Sequence, residues 1–96
     1  MPATVPLSKP LKTHDGETST LTFRDVEAKD IVVIRTPPVR FVEANGESHT
    51  EFRYDAIMAL ASRLSGIDDL LLGKLGAKDF HRVSQEVLSL WNASGE

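Results

Sequence analysis

The sequence predicts an α+β fold in which an N-terminal β-hairpin packs on a C-terminal bundle of three to four short helices. Two patterns carry this prediction. Apolar residues alternate near the N-terminus, as in a strand with one buried face, and they recur at helical spacing in the second half. The length of 96 residues suits one domain, so we expect a single domain over 1–96 with one modest core.

The N-terminal segment predicts a hairpin over about 5–23. Its apolar residues share odd positions: Val5, Leu7, Leu11, Leu21 and Phe23. A strand turns alternate side chains to the same face, so these residues would form one apolar face. Asp15-Gly16 is a hairpin signal because both residues tolerate the positive φ of a tight turn. Pro6 and Pro10 cannot donate ladder hydrogen bonds, which places the first strand at an edge.

The segment "RDVEAKDIVVIRTPPV" gives two conflicting signals. The β-branched run Ile31–Ile34 by itself indicates a strand, whereas the acidic residues before it favour a helix start. Pro37-Pro38 would end either element, because a residue before proline avoids the α region. The stretch 36–49 is predicted as a loop; a second short hairpin that turns at Asn45-Gly46 is the alternative.

The second half predicts helices at about 50–65, 67–73 and 77–92. The first has apolar residues at helical spacing: Ile57, Leu60, Ala61, Leu64 and Ile67. Thr50 or Ser48 would cap its start, and Gly66 would end it in the left-handed conformation. Asp68-Asp69 favours the start of the short second helix, which Gly73 or Gly76 would stop. The last helix carries one apolar stripe: Phe80, Val83, Val87, Leu88 and Trp91.

Composition excludes several classes of protein. The chain has no cysteine, which rules out disulfides, thiolate zinc sites and thiol catalysis. Its net charge of −3 argues against a dedicated nucleic-acid binder. No apolar run approaches the ~20 residues of a membrane span, and the proline-broken N-terminus does not resemble a signal peptide. We expect a soluble intracellular protein.

Sequence motifs of catalysis are missing. His14, His49 and His81 show no metal-ligand spacing, so surface histidines are favoured over a metal site built from His14, His49 and acidic neighbours. The sequence contains no P-loop, no GxGxxG and no GxSxG motif. Asp68-Asp69 is interpreted as a helix cap, because adjacent residues on a helix do not face one another. We therefore predict a non-enzyme with no catalytic residue, no cofactor and no bound metal.

A helix-turn-helix interpretation is the alternative to a protein-binding role. The three predicted C-terminal helices would present polar side chains competent to touch DNA: Lys78, His81, Arg82, Ser84 and Gln85. Several carboxylates lie beside them, and their proximity to phosphates would be costly. We rank DNA binding below the hypothesis that follows.

The order of motifs resembles that of the small tail assembly chaperones of Mu-like and other long-tailed phages and prophages. Leu11–Gly16 and Leu21–Arg24 are similar to that family's strand, turn and second strand. Arg24 and Asp30 match its "RxPxxxDL" step into a helix, with Val26 where the family usually has proline. The C-terminal half also matches that family's pattern of leucines and acidic residues, at these positions: Ser65-Gly66-Ile67, Leu72, Leu75, Asp79 and Phe80.

The resemblance implies a function and partners. Such proteins are non-catalytic and coat the tape measure protein while the tail tube polymerises, and they are absent from the finished virion. A longer frameshifted form recruits tube subunits in many of them, so the major tail tube protein is a second implied partner. By the same analogy, the segment at about 27–35 is a helix, and the protein works in the host bacterial cytoplasm. Neither nucleic acid nor membrane is an expected partner, whereas a homo-oligomer is possible. A structural subunit of the tail is a further alternative function.

A chaperone for apolar helices needs exposed apolar surface. The candidates lie in the predicted loop and near the end of the last helix: Val39, Phe41, Val42, Leu88, Leu90 and Trp91. Core packing is the competing interpretation, and it is favoured for Trp91.

Overall fold

The structure, a computed structural model, describes residues 3–14, 16–34 and 37–94, without the side chains of Phe41, Ala93 and Ser94. The described residues form two β-hairpins and four helices. In chain order the elements are β1 (Ala3–Thr13), β2 (Gly16–Phe23), α1 (Ala28–Ile34), β3 (Val39–Ala44), β4 (Glu47–Phe52), α2 (Tyr54–Ser65), α3 (Asp69–Leu72) and α4 (Ala77–Ser94). The predicted α+β class, with an N-terminal hairpin and a helical C-terminal half, is confirmed.

The first hairpin pairs β1 with β2 in antiparallel register, from Ala3 opposite Phe23 to Thr13 opposite Gly16. Gly16 has a φ of 121°, which glycine adopts without strain; Asp15 of the predicted turn lies outside the described residues. The ladder is interrupted between Pro6 and Leu11. This bulge turns a stretch of β1 away from β2 and toward α4.

The core lies between the first hairpin and the helices. The hairpin contributes the alternating residues that the sequence pattern predicted: Val5, Leu11, Leu21 and Phe23. The helices contribute Ala56, Ile57, Leu60, Ala61 and Leu64 from α2, Leu72 from α3, and Val83, Val87 and Leu90 from α4. The buried stripe of α4 thus continues to Leu90, and Trp91 packs at its margin.

The prediction of a loop over 36–49 is wrong. Residues 39–52 form the second hairpin, which was the alternative, with Ala44 opposite Glu47 across a two-residue turn. Asn45 and Gly46 have φ values of 54° and 81°, the left-handed pair that a type I′ turn requires. The asparagine tolerates that region and the glycine occupies it freely, so these two residues set the register.

The predicted helix start near residue 50 is also wrong. Backbone pairing places Thr50 opposite Phe41 and Phe52 opposite Val39, so the chain is still extended there. Helix α2 begins at Tyr54 after Arg53, which caps it without a side-chain hydrogen bond. Neither Thr50 nor Ser48 caps the helix, because strand pairing extends past the stretch that sequence periodicity assigned to the helix.

The double break between α2 and α4 follows the predicted signals. Gly66 has a φ of 75° and donates its N–H to the Ser62 carbonyl oxygen at 2.9 Å. The Asp68 carboxylate then accepts a hydrogen bond from the Leu70 N–H at 2.9 Å and caps α3. Gly73 ends α3 in the right-handed conformation. These caps let the long helices α2 and α4 and the single-turn helix α3 pack around one core.

Candidate functional site

The structure separates the six residues predicted to bind a partner. Val39 and Val42 are half-buried on β3, and the side chain of Phe41 lies outside the described residues. Leu88 and Trp91 are half-buried against the core, whereas Leu90 is only 8% exposed. Leu90 is thus a packing residue in this conformation. The binding role of the set stays a prediction.

Leu88 lies in a groove at the base of the second hairpin. This hairpin-base groove has a volume of about 170 Å³ and is lined by Phe52, Tyr54, His81, Ser84, Gln85 and Leu88. Phe52 and Tyr54 are about half exposed. The Tyr54 ring lies 6.3 Å from that of Phe80 at a tilt of 50°, a favourable aromatic geometry that holds one wall in place. Because the groove is small and partly apolar, it has room for one or two side chains of another molecule.

A second apolar surface lies on α1. Three consecutive residues, Ile31, Val32 and Val33, are exposed by 45%, 73% and 54%. We call them the α1 face. The one fully buried residue of the same helix is Asp30, with no exposure at all. Helix α1 therefore inverts the usual arrangement, since its carboxylate points inward and three of its aliphatic side chains point outward, while Ile34 packs against the core.

The buried carboxylate is held by two arginines from different elements. Arg24 donates Nη1–H to Asp30 Oδ2 and Nη2–H to Oδ1, both at 2.7 Å, and Arg63 donates Nε–H to Oδ1 at 2.9 Å. The Glu27 backbone N–H donates to Oδ2 at 2.8 Å, so the same carboxylate caps the helix. We call these four residues the Asp30 clamp.

The clamp has a clear electrostatic consequence. The hydrogen bonds from Arg24, which outweigh the opposing effect of burial, hold the pKa of Asp30 well below its usual range, and the Glu27 amide and Arg63 add to the shift. Hydrogen bonding to Asp30 in turn raises the pKa of Arg24. The carboxylate is therefore ionised, and its fixed charge anchors α1 to α2.

An open cleft lies between α1, α2 and the α2–α3 turn. This α1 cleft has a volume of about 670 Å³, and its lining includes Val33, Ile34, Ile67, Arg63, Asp68 and Asp69. Arg63 is engaged by the clamp. The hydrogen bond from the Leu70 N–H lowers the pKa of Asp68, so Asp68 is negative at neutral pH. The cleft thus combines aliphatic walls with carboxylates at one end.

Asp79 has a structural role in joining the first hairpin to α4. It is buried, and its carboxylate accepts the Ser8 N–H at 3.1 Å and the Ser8 hydroxyl at 2.9 Å. The backbone hydrogen bond from Ser8 is the main reason that its pKa is lowered. The bulge in β1 frees this N–H from the strand ladder, so Asp79 ties the first hairpin to the start of α4.

The side chains considered for metal or DNA binding are dispersed. His14, His49 and His81 lie on the first turn, β4 and α4, and across 3–14, 16–34 and 37–94 no group of three or more metal-ligating side chains converges. On α4, Lys78, His81, Arg82 and Gln85 are exposed, but Ser84 is buried and donates to the Phe80 carbonyl oxygen at 2.9 Å. No helix in the described part of the chain is long and apolar enough to span a membrane.

Comparison with known families identifies the chain. The family model described as "Phage tail assembly chaperone proteins, E, or 41 or 14" matches residues 4–91 of the 96. The chain belongs to this family. The match runs from β1 to α4, so it includes the Asp30 clamp, Asp79 and both apolar surfaces. No curated protein and no solved structure matches significantly. Membership in the phage tail assembly chaperones assigns the protein a role in tail assembly with protein partners.

Sequence reasoning missed the α1 face of this tail assembly chaperone, although a signal was present. Successive residues on a helix point about 100° apart, so the four apolar residues Ile31–Ile34 cannot all face one core. Once that segment was interpreted as a helix, at least one of its aliphatic side chains had to face solvent. The choice between strand and helix for this run leaves that surplus of apolar surface unexplained.

Proposed function

We propose that this protein is a non-catalytic phage or prophage tail assembly chaperone that binds the tape measure protein while the tail tube assembles. The family match over residues 4–91 carries the proposal. The exposed aliphatic and aromatic side chains of the α1 face and the hairpin-base groove support it, because reversible capture of apolar helices needs apolar surface that the chaperone's own core does not use.

The proposal includes the setting and the other partners. The protein acts in the host bacterial cytoplasm and leaves the tail before the virion matures. A longer frameshifted form would bring the major tail tube protein to the same complex. Six residues remain proposed contacts individually: Val39, Phe41, Val42, Leu88, Leu90 and Trp91. Of these, Leu88 is the one that lines the hairpin-base groove.

Co-expression with the cognate tape measure protein tests the proposal. We expect the tagged chaperone to co-purify the tape measure protein and to raise its soluble fraction several-fold over expression alone. An unrelated tagged protein of similar size and charge serves as the control. A tape measure protein that is equally insoluble with and without the chaperone, and that never co-purifies, would remove the proposal.

Two further measurements separate the competing functions. Purified virions should lack the protein, since its presence there would indicate a structural tail subunit. Mixing with duplex DNA at low salt should give no complex at micromolar protein, because salt-dependent binding would point to a regulator.

A further inference from the structure

We propose that the α1 cleft and the α1 face together form the docking site for an amphipathic helix of the partner that carries a lysine or arginine beside its apolar stripe. This inference rests on the proposed function, in which that partner is the tape measure protein, and deepens it by naming the surface and the chemistry of the segment bound.

The first argument is the inverted composition of α1. Valine and isoleucine are not strong helix formers, and a helix of seven residues does not persist alone in water. The Asp30 clamp and the contact with α2 hold it in place. The result is a short helix fixed by its buried charge, with Val32 73% exposed. This arrangement leaves apolar side chains exposed, although their burial would otherwise stabilise the helix.

The second argument is the shape of the site. The walls of the α1 cleft come from α1, α2 and the α2–α3 turn, so the described lining offers side chains rather than a strand edge. A helix can lay its side chains between those of two neighbouring helices, whereas an extended peptide gains most from backbone pairing, which this surface does not offer. Val33, Ile34 and Ile67 supply the apolar contacts.

The third argument is charge. Asp68 and Asp69 line one end of the cleft and are exposed, whereas Arg63, the cation among the named lining residues, already donates to Asp30 at 2.9 Å. The end of the cleft is therefore negative. A helix with a lysine or arginine next to its apolar stripe would complement this end, whereas an acidic helix would be repelled.

Size and symmetry argue against a second copy of this chain as the occupant. The exposed apolar patch on α1 is on the order of a few hundred Å², whereas a stable dimer buries about 800 Å² per partner. A two-fold contact would also set the same patch against itself, which brings two pairs of Asp68-Asp69 carboxylates to one interface.

Competitive co-expression tests the site. A tagged wild-type chain and an untagged variant are expressed together with the tape measure protein, and their ratio in the complex reports relative affinity. Val33→Asp places a charge on the cleft wall, and the double variant V32A/V33A removes apolar area while it raises helix propensity. The matched control is Leu70→Asp, an apolar position on α3 that is 78% exposed and lines neither the α1 cleft nor the hairpin-base groove.

We expect both α1 variants to be recovered about tenfold less than wild type, with the Leu70→Asp variant recovered at least as well as wild type. Circular dichroism should show that all three retain the wild-type helix content. If wild type binds and the α1 variants bind equally well, the docking site is elsewhere and the inference fails while the proposed function survives. If the wild-type chain itself captures no tape measure protein, the proposed function fails first.

Two added measurements address charge and self-association. The variant D68N/D69N keeps the α3 cap, since asparagine caps helices well, and should make the complex less sensitive to added NaCl than wild type. An unchanged salt response would overturn the predicted basic residue. Size-exclusion chromatography should show the same mass for wild type and Val33→Asp, because a dimer lost only in the variant would identify a second copy as the occupant.

Discussion

Asp30 shows how a buried charge can specify a helix that hydrophobic burial does not. Its carboxylate oxygens accept four hydrogen bonds, from Arg24 (two), Arg63 and the Glu27 amide. Buried ion pairs rarely add much net stability, but they disfavour every packing that leaves the charge unpaired. Asp30 therefore determines where α1 sits and which of its residues face outward.

Removal of one arginine of the Asp30 clamp should destabilise the folded chain. Arg24→Ala leaves Asp30 buried with only Arg63 and the backbone amide, and we expect a loss of roughly 3 kcal/mol in the free energy of unfolding. Urea denaturation followed by circular dichroism measures this loss. Arg40→Ala is the control, because its ion pair with Glu51 at 3.4 Å is exposed and should matter little. Equal losses in the two variants would contradict the role of the clamp.

The lowered pKa of Asp30 also predicts an acid dependence. Because the pKa is lower in the folded than in the unfolded state, the stabilisation is complete above the unfolded value of about 4 and is lost as the pH falls below it. The free energy of unfolding should therefore fall steadily below about pH 4. In the variant Asp30→Asn, which is less stable at neutral pH, this fall should be shallower; the slopes from urea titrations at several pH values measure the difference.

At the scale of elements, the second hairpin is held by its own ladder more than by the core. Residues 43–50, which form its outer part, are all exposed, so they gain little from burial. An isolated two-stranded hairpin is marginal in water. Its turn, with two residues in the left-handed region, is therefore important for its formation.

Gly46→Ala should loosen this hairpin without unfolding the core. A φ of 81° is unfavourable for alanine by about 1 kcal/mol, so amide hydrogen exchange in β3 and β4 should accelerate roughly five-fold. Gly76→Ala is the control, because Gly76 has no positive φ and an added Cβ would meet nothing within 4 Å. Similar acceleration in both variants would mean that the turn does not control the hairpin.

At the scale of the molecule, the chain is elongated, with extents of 50 × 27 × 21 Å and a radius of gyration of 14.0 Å. A compact chain of this length would have about 12–13 Å. The core lies among β1, β2 and the helices, and the second hairpin lies outside it. The two apolar surfaces are on different elements of this elongated shape, which suits a protein that contacts more than one partner segment.

A single core predicts cooperative unfolding. Leu60 is fully buried, so Leu60→Ala should cost about 3 kcal/mol and lower Tm by roughly 10 °C or more. Far-UV circular dichroism and Trp91 fluorescence should report one coincident transition in wild type and variant, as expected for one domain. Two separate transitions would show that the helices and the first hairpin fold independently.

The local patterns predicted most of the fold correctly. Alternation placed the inward face of the first hairpin, a glycine placed the C-terminal end of α2, and aspartate and glycine signals placed the ends of α3. The prediction of a loop over 36–49 was wrong because β4 carries mostly polar side chains, so its sequence gives little strand signal beyond the turn residues Asn45-Gly46. The predicted start of α2 near residue 50 was wrong, because pairing with β3 keeps residues 50–52 extended and α2 begins only at Tyr54.

By itself, the sequence determined the fold class, the two glycine turns, the caps of α3 and the resemblance to a family, because these depend on spacing and on residues a few positions apart. Only the tertiary structure decided which residues lie buried and which are free for a partner. Leu90 is buried because α4 turns it toward the core, and Ile31, Val32 and Val33 are exposed because Asp30 needs two arginines that lie inward. A side chain's exposure depends on what packs against its element, and spacing along the chain does not specify that.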